Sequence, residues 1–370
     1  MDKLLYIGHF SSAGADINKA ASAAGDLVQN QIITESIAVL GKSNVFFYSM
    51  EPNPCWPRGT LIVKSKRNDR GFFPGYINLP YLKNIIFSLS VVNGFIKFKP
   101  KLVMQYNSYL FENLTLLSFK LFFKAKIISI VQDVRIGDSF SNIATLNDQC
   151  SNYFLKYFTH VIPVTLALAE HLKLQPSKVT IFQGGVADFG LECCATKFYT
   201  ENFAVFAGAI ENYNGIDKLL DEWINQRIGI DLHIFGKGSQ IDRLKENFRK
   251  NKRIVFHGFS TQEEVMKWQI KAKFNVCLRY SEGLNSEFFF PSKFFNVAMC
   301  PGLVILNDFS GLPSFFKTTP SLCQNDLKNL KEIELIDDNT ILLNSKKRRE
   351  YILKHHSWKD LLKKVFFQIL

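Results

Sequence analysis

The chain has 370 residues, 47% of them hydrophobic and 21% charged, with a net charge of +12 and a pI of about 9.2. That is enough apolar material for two cores, which sets disorder aside as the default. Seven cysteines show no C-x-x-C pair and no metal-ligand spacing with the seven histidines. They read as reduced thiols of a cytosolic protein, and no bound metal is expected.

The N-terminus, MDKLLYIGHF, lacks the long apolar run of a secretion signal and reads as a first strand, KLLYIG (3–8). Gly14 and Gly25-Asp26 then precede an apolar helix, LVQNQIITESIAVL. Further strands are expected at SNVFFYS (43–49), KLVMQYN (101–107), AKIISIVQD (125–133), THVIPVT (159–165) and KVTIFQGG (178–185). No stretch reaches the roughly 18 uncharged apolar residues that a membrane span needs.

The turn-rich segment 185–203 has no periodic pattern and marks a domain boundary. A second series follows, with strands at FAVFAGAI (203–210), IDLHIFGKG (230–238), RIVFHGF (253–259), KFNVCLRY (273–280), GLVILN (302–307) and SLCQ (321–324). IDKLLDEWINQ, SQIDRLKENFRK and TQEEVMKWQIKA carry apolar residues at helical spacing between them. Short strands alternating with amphipathic helices define an α/β protein with mostly parallel sheets. The organisation expected is 1–185, 186–355 and a last helix at 356–370 that packs back toward the first domain.

In open α/β folds ligands gather at the carboxyl ends of the strands. There the chain offers Gly208, Asn212-Tyr213-Asn214-Gly215, Gly236-Lys237-Gly238, Gly258-Phe259 and Arg279. A polar loop follows, Ser281-Glu282-Gly283-Leu284-Asn285-Ser286-Glu287, leading into FFFPSK. A missing Cβ at the glycines would let a ligand approach the backbone. Pro291 suits a first helical turn, which would place Ser292 and Lys293 at a helix N-terminus as a seat for a diphosphate. Asp133, at the end of a strand, suits a general base or a sugar-hydroxyl contact.

The stretch PSKFFNVAMCPGLVI resembles the P-S-K-L-F-E-Y-M-A-x-G-x-P-V-I segment of glycosyltransferase family 4. FAGAIENYNGIDKLLDEW, LHIFGKGSQIDRLKE, RIVFHGF, LRYSEG and SWKDLLKKV follow in that family's order. The resemblance implies two Rossmann-like domains facing a central cleft (GT-B), an N-terminal acceptor domain and a C-terminal nucleotide-sugar domain. It implies a metal-independent transferase without a bound cofactor, moving a sugar from a nucleotide-diphosphate sugar to a hydroxyl of a lipid-linked glycan in surface polysaccharide biosynthesis.

The catalytic candidates are then Asp133, Glu287 and Lys293. The donor-binding candidates are Gly14, Gly208, Asn212, Tyr213, Gly236, Lys237, Phe259, Arg279, Glu282, Gly283, Asn285, Ser292 and Asn296. Phe288 and Asn296 stand where the family carries two glutamates, and Ala209 and Asn214 where it carries Arg and Lys. Glu287 or Glu282 would supply a nearby acid, and the diphosphate would fall to Lys293, Arg279 and Lys237. A catalytically silent glycan- or membrane-binding relative and a GT-B sugar-nucleotide epimerase are the alternatives.

The positive charge, about +8 over residues 1–185 against about +4 for the rest, predicts anionic partners. YLKNIIFSLSVVNGFIKFKPK and LLSFKLFFKAK mix large apolar residues with lysines, as a surface resting on an anionic membrane leaflet would. A cytoplasmic place at the inner membrane face is expected, and no nucleic acid, since no recognised motif supports one.

Overall fold

The computed structural model describes residues 2–12, 23–134, 142–187, 199, 201–280, 286–319 and 327–370. Gly14, Glu282, Gly283, Asn285 and the strand expected at 321–324 lie outside them. The chain divides into two compact units. The first comprises Met1–Ala187, Glu287–Ser292 and Trp358–Leu370, and the second Asp188–Ser286 and Lys293–Ser357.

The first unit's strands are Leu4–Gly8 (β1), Val45–Ser49 (β2), Ile62–Val63 (β3), Lys66–Arg67 (β4), Gly71–Phe73 (β5), Tyr76–Ile77 (β6), Leu102–Tyr106 (β7), Lys126–Val131 (β8) and His160–Pro163 (β9). Seven of them form one sheet in the order β4-β5-β2-β1-β7-β8-β9, and β3 pairs with β6. All pairings in the large sheet are parallel except β4 with β5. β1 and β7 are buried along their whole length, as expected of central strands covered by helices on both faces.

The helices of this unit are Ala23–Leu40 (α1), Leu82–Phe98 (α2), Leu110–Phe123 (α3), Asn142–Phe154 (α4) and Leu166–His171 (α5). α2 and α3 each end on a left-handed lysine, Lys99 and Lys124; the Lys99 N–H returns to the Phe95 carbonyl and the Ala125 N–H to that of Phe119. Two expectations need correction. Gly25 and Asp26 lie inside the first turn of α1 rather than ahead of it. KVTIFQGG gives no continuous strand: Val179 makes an isolated bridge to Val161, and Thr180 and Phe182 donate to the carbonyls of Val161 and Pro163 on β9.

The second unit's strands are Glu201–Ala207 (β10), Asp231–Phe235 (β11), Ile254–Gly258 (β12), Ala272–Cys277 (β13) and Leu303–Leu306 (β14). They form a parallel sheet in the order β12-β11-β10-β13-β14. Its helices are Ile216–Asn225 (α6), Ile241–Asn247 (α7), Gln262–Lys271 (α8), Phe294–Ala298 (α9), Ser314–Lys317 (α10) and Asp338–His355 (α11). Thr261 caps α8 by accepting from the Glu264 N–H, and Asp337 caps α11 through the Thr340 N–H. Trp223, Leu219 and Leu220 of α6 pack with Phe206, Leu232 and Phe274 in the core.

α9 corrects a further expectation. It begins at Phe294, so Pro291 stands outside it, and Lys293 is its N-cap residue without a side-chain capping bond. The helix is one turn long and its five residues are buried. Arg348 of α11 closes its far end, donating from Nη2 to the carbonyls of Cys300 and Gly302, each at 2.7 Å, and from Nε to that of Ala298.

The last helix, Trp358–Ile369 (α12), belongs to the first unit. Trp358, Leu361, Leu362, Val365 and Phe366 enter the core built on β1, β7 and α1, and the Trp358 N–H donates to Val186.

Candidate functional site

In the second unit the strand order brings the loops after β12, β11, β10 and β13 side by side along one edge of the sheet. Gly208, just after β10, donates its N–H to Phe235, the last residue of β11, at 3.0 Å. The Lys293 ammonium donates to the carbonyl of Ala207 and lies 5.0 Å from the centre of the Phe206 ring. Burial holds the pKa of this lysine below its ordinary value. The Cys277 thiol partly offsets that effect, and the neighbouring Arg279 cation adds to it.

Arg279 is fixed through its main chain. Its N–H donates to Asn307 Oδ1 and its carbonyl accepts from Asn307 Nδ2, both at 2.8 Å. Its guanidinium lies 4.7 Å from the centre of the Tyr213 ring. Lys237 lies at the same distance from the Phe259 ring. Tyr213 and Phe259 are both more than a third exposed, so each offers an aromatic face beside a cation.

Three of these glycines lie directly against other parts of the protein. A Cβ at Gly236, where φ is +145°, would strike the Gly208 carbonyl, one at Gly238 the backbone of Ile210, and one at Gly208 the Lys293 amine. Close approach of one protein loop to another therefore requires them. Asn212–Asn214 form a 3-10 turn that Gly215 ends at φ +60°, with the Tyr280 ring where its Cβ would stand. Asn214 is buried and donates to the Ala209 carbonyl at 2.8 Å. Asn296 is also buried, on α9.

Asp133, Glu287 and Ser292 belong to the first unit. Glu287 is exposed on a 3-10 turn, Ser286–Phe288. Asp133 follows β8, and its N–H donates to Asn107 Oδ1 at 3.1 Å. The same oxygen accepts from Gln132 at 2.9 Å, with Asn107 itself in the left-handed region at φ 62°. Asp133 and Ser292 line a cavity of about 720 Å³ together with His9, Asp26, Glu51, Tyr109 and Asp148. Asp26 accepts from the Ser11 N–H at 3.2 Å, and burial raises its pKa despite that bond.

His9 was not among the candidates, yet it lines this cavity with its ring held by two neighbours. Its Nε2 lies 2.8 Å from Glu112 Oε1, and its ring stacks on Tyr109 at 4.0 Å. The signal was present in the sequence as a histidine directly after a strand and a glutamate inside an apolar helix. Among the described residues no group of three or more His, Cys, Asp or Glu side chains is placed to hold a metal ion.

Comparison with protein-family models and with curated proteins finds no match. Solved structures do match over the whole chain. Sucrose-phosphate synthase from Thermosynechococcus elongatus superposes with a TM-score of 0.68 at 14% identity, covering 99% of this chain and 98% of that one. The lipopolysaccharide outer core galactosyltransferase WaaB, in its apo form, gives 0.60 at 14% identity with both chains fully covered. Anabaena HepE in complex with UDP-glucose gives 0.64 at 11% identity, again over both chains in full. Two parallel α/β units in this order, with the last helix belonging to the first, give the chain the fold of the GT-B glycosyltransferases.

Proposed function

We propose that the protein is a glycosyltransferase that moves a sugar from a nucleotide-diphosphate sugar to a hydroxyl of a lipid-linked glycan in surface polysaccharide biosynthesis. The second unit holds the donor, and the polar cavity of the first takes the acceptor. The observation that carries this reading is the Lys293 ammonium, half-buried at the carboxyl end of β10 beside Gly208 and within the field of Arg279. Two partly buried cations within each other's field favour an anion beside them, and a diphosphate leaving group supplies one as its charge develops. Tyr213 and Phe259 offer faces for the base or the sugar. Asp133 contacts an acceptor hydroxyl.

The likeness to proteins crystallised with UDP-glucose, or named for lipopolysaccharide galactosyl transfer, supports the same reading. A membrane-facing role is supported by two packed helices of the first unit. Phe95 of α2 stacks on Phe119 of α3 at 3.9 Å, and beyond that contact Leu121, Phe122 and Phe123 are 74%, 73% and 61% exposed among Lys120, Lys124 and Lys126. Apolar tips among lysines fit the inner, anionic face of a cytoplasmic membrane.

Incubation with UDP-, GDP- and CMP-linked sugars tests the proposal, with release of the free nucleotide as the readout. Turnover of a UDP- or GDP-linked sugar is expected, without added divalent metal, and none of a CMP-linked sugar, whose leaving group is a monophosphate. Absence of both binding and release across the panel would overturn it. Tight binding without release would instead select a silent relative, the reading favoured by Phe288 and by the buried Asn296 where the family carries glutamates.

A further inference from the structure

We infer that the cavity of the first unit selects an acceptor whose terminal sugar carries a protonated amine, and turns away sugars that carry a carboxylate or a phosphate. The inference rests on the transferase reading above and names the substrate class of its acceptor cavity. Residues 1–185 carry a net charge of about +8, yet this cavity has the opposite sign. Four carboxylates line it, those of Asp26, Glu51, Asp133 and Asp148, against a single lysine, Lys83. The His9 ring, which also lines it, is taken up by Glu112 at 2.8 Å.

The carboxylates differ in how their charge is met. Glu51, buried, accepts from Lys66 at 2.9 Å and from Ser12 Oγ at 2.8 Å, so the protein itself balances it. Asp26 accepts from Ser11 and forms no ion pair among the described residues. Burial raises its pKa although it accepts hydrogen bonds, as befits a carboxylate short of positive charge. Asp148 accepts from Asn147 Nδ2 at 3.3 Å and likewise forms no ion pair among the described residues. A partly buried carboxylate without a counter-charge is unfavourable to keep ionised, and a cation brought by the ligand relieves it.

The volume of about 720 Å³ falls in the range of sites for small organic molecules, about 300–1,000 Å³, and far exceeds what a metal ion fills. The cation that suits this cavity is therefore part of a larger molecule. An amino sugar meets both demands: its hydroxyls find neutral polar partners in the wall, such as Asn84 and Asn152, and its ammonium pairs with Asp26 or Asp148. A carboxylate or phosphate in the same place would meet like charge. The phosphates of a lipid-linked acceptor consequently stay outside the cavity.

The test titrates the full chain with three probes, the octyl glycosides of glucosamine, glucose and glucuronic acid. It is run at about pH 6.5, where an amine with the roughly 7.7–8.0 pKa of an α-amino group is protonated and an ordinary carboxyl is ionised. The glucosaminide is expected to bind about five-fold or more tighter than the glucoside, and the glucuronide about five-fold or more weaker. Asp26→Asn combined with Asp148→Asn keeps the side-chain shapes and an accepting oxygen but removes two charges. It is expected to move the charged probes in opposite directions, the glucosaminide weaker and the glucuronide tighter, whereas a folding defect would weaken all three. A glucosaminide that binds no better than the glucoside, a glucuronide that binds as well as either, no binding of any probe, or a folded variant that keeps the wild-type ranking would overturn the inference. No nucleotide sugar enters this measurement. Preference for the amine in a protein that binds no nucleotide sugar sinks the transferase reading and leaves the selectivity of the cavity, while turnover in the donor panel without that preference sinks this inference alone.

Discussion

Lys293 and Ala207 are joined by a hydrogen bond from the ammonium to the last carbonyl of β10, which ties a one-turn helix to the middle strand of its sheet. The same ammonium is the candidate grip on a diphosphate. Replacing Lys293 by Ala is expected to weaken UDP binding by about 2–3 kcal/mol, on the order of 30- to 150-fold, as loss of a charge-assisted hydrogen bond does. Isothermal titration with UDP measures the first effect. Thermal unfolding checks that the fold survives.

Affinity for UDP is expected to depend on pH through the same residue. Burial lowers the pKa of Lys293 from the ordinary 10.5, so in the free protein it loses its charge at a lower pH than a surface lysine would. Binding of an anion needs the charged form, so affinity falls as pH rises through that lowered value. Titrations at increasing pH on wild type and Lys293→Arg check it, with the arginine variant holding its affinity to higher pH.

Arg348 is 1% exposed and gives its guanidinium to three main-chain carbonyls and to Asn344 Oδ1. Replacement by Met keeps the apolar stem but strands those acceptors, and is expected to cost about 3 kcal/mol of stability in the second unit. Urea denaturation followed by tryptophan fluorescence reads the loss.

His233 and His257 share a hydrogen bond of 2.8 Å between their rings, and burial lowers the pKa of both. The unfolded chain therefore binds more protons between the lowered values and the ordinary 6.5. Stability is present above 6.5 and declines as pH falls from there through the folded-state values. Denaturation midpoints collected on either side of 6.5 are expected to fall on the acid side for wild type, and to fall less for His257→Asn.

The double substitution of Leu121 and Phe122 by Ser is expected to abolish sedimentation with phosphatidylserine-containing vesicles and to leave stability within about 1 kcal/mol of wild type, as exposed positions allow. Unchanged vesicle binding would remove the membrane face from the proposal.

Much of the fold was legible because long buried strands leave continuous apolar runs, as LLYIG and KIISIV do, and because amphipathic helices such as IDKLLDEWIN repeat at the right spacing. The four short strands between Ile62 and Ile77 were not legible: two or three residues carry no periodicity. Pro291 misled for a local reason. Proline fits a first helical turn, but it equally ends an extended segment, and nothing nearby marks the choice. Lys237 and Arg279 were found from their place after strands, and Lys293 from the helix expected at Pro291. The pairing of His9 with Glu112 was not, since 103 residues separate them and only the fold brings a strand end against the buried face of α3.

α12 has a consequence for synthesis. Trp358, Leu361, Leu362, Val365 and Phe366 complete a core whose other walls come from the first half of the chain, and Trp358 meets Phe182 with ring centres 4.8 Å apart. A ribosome translating this message makes the whole of the second unit before it delivers that missing wall. Until then the early half carries an open apolar trough.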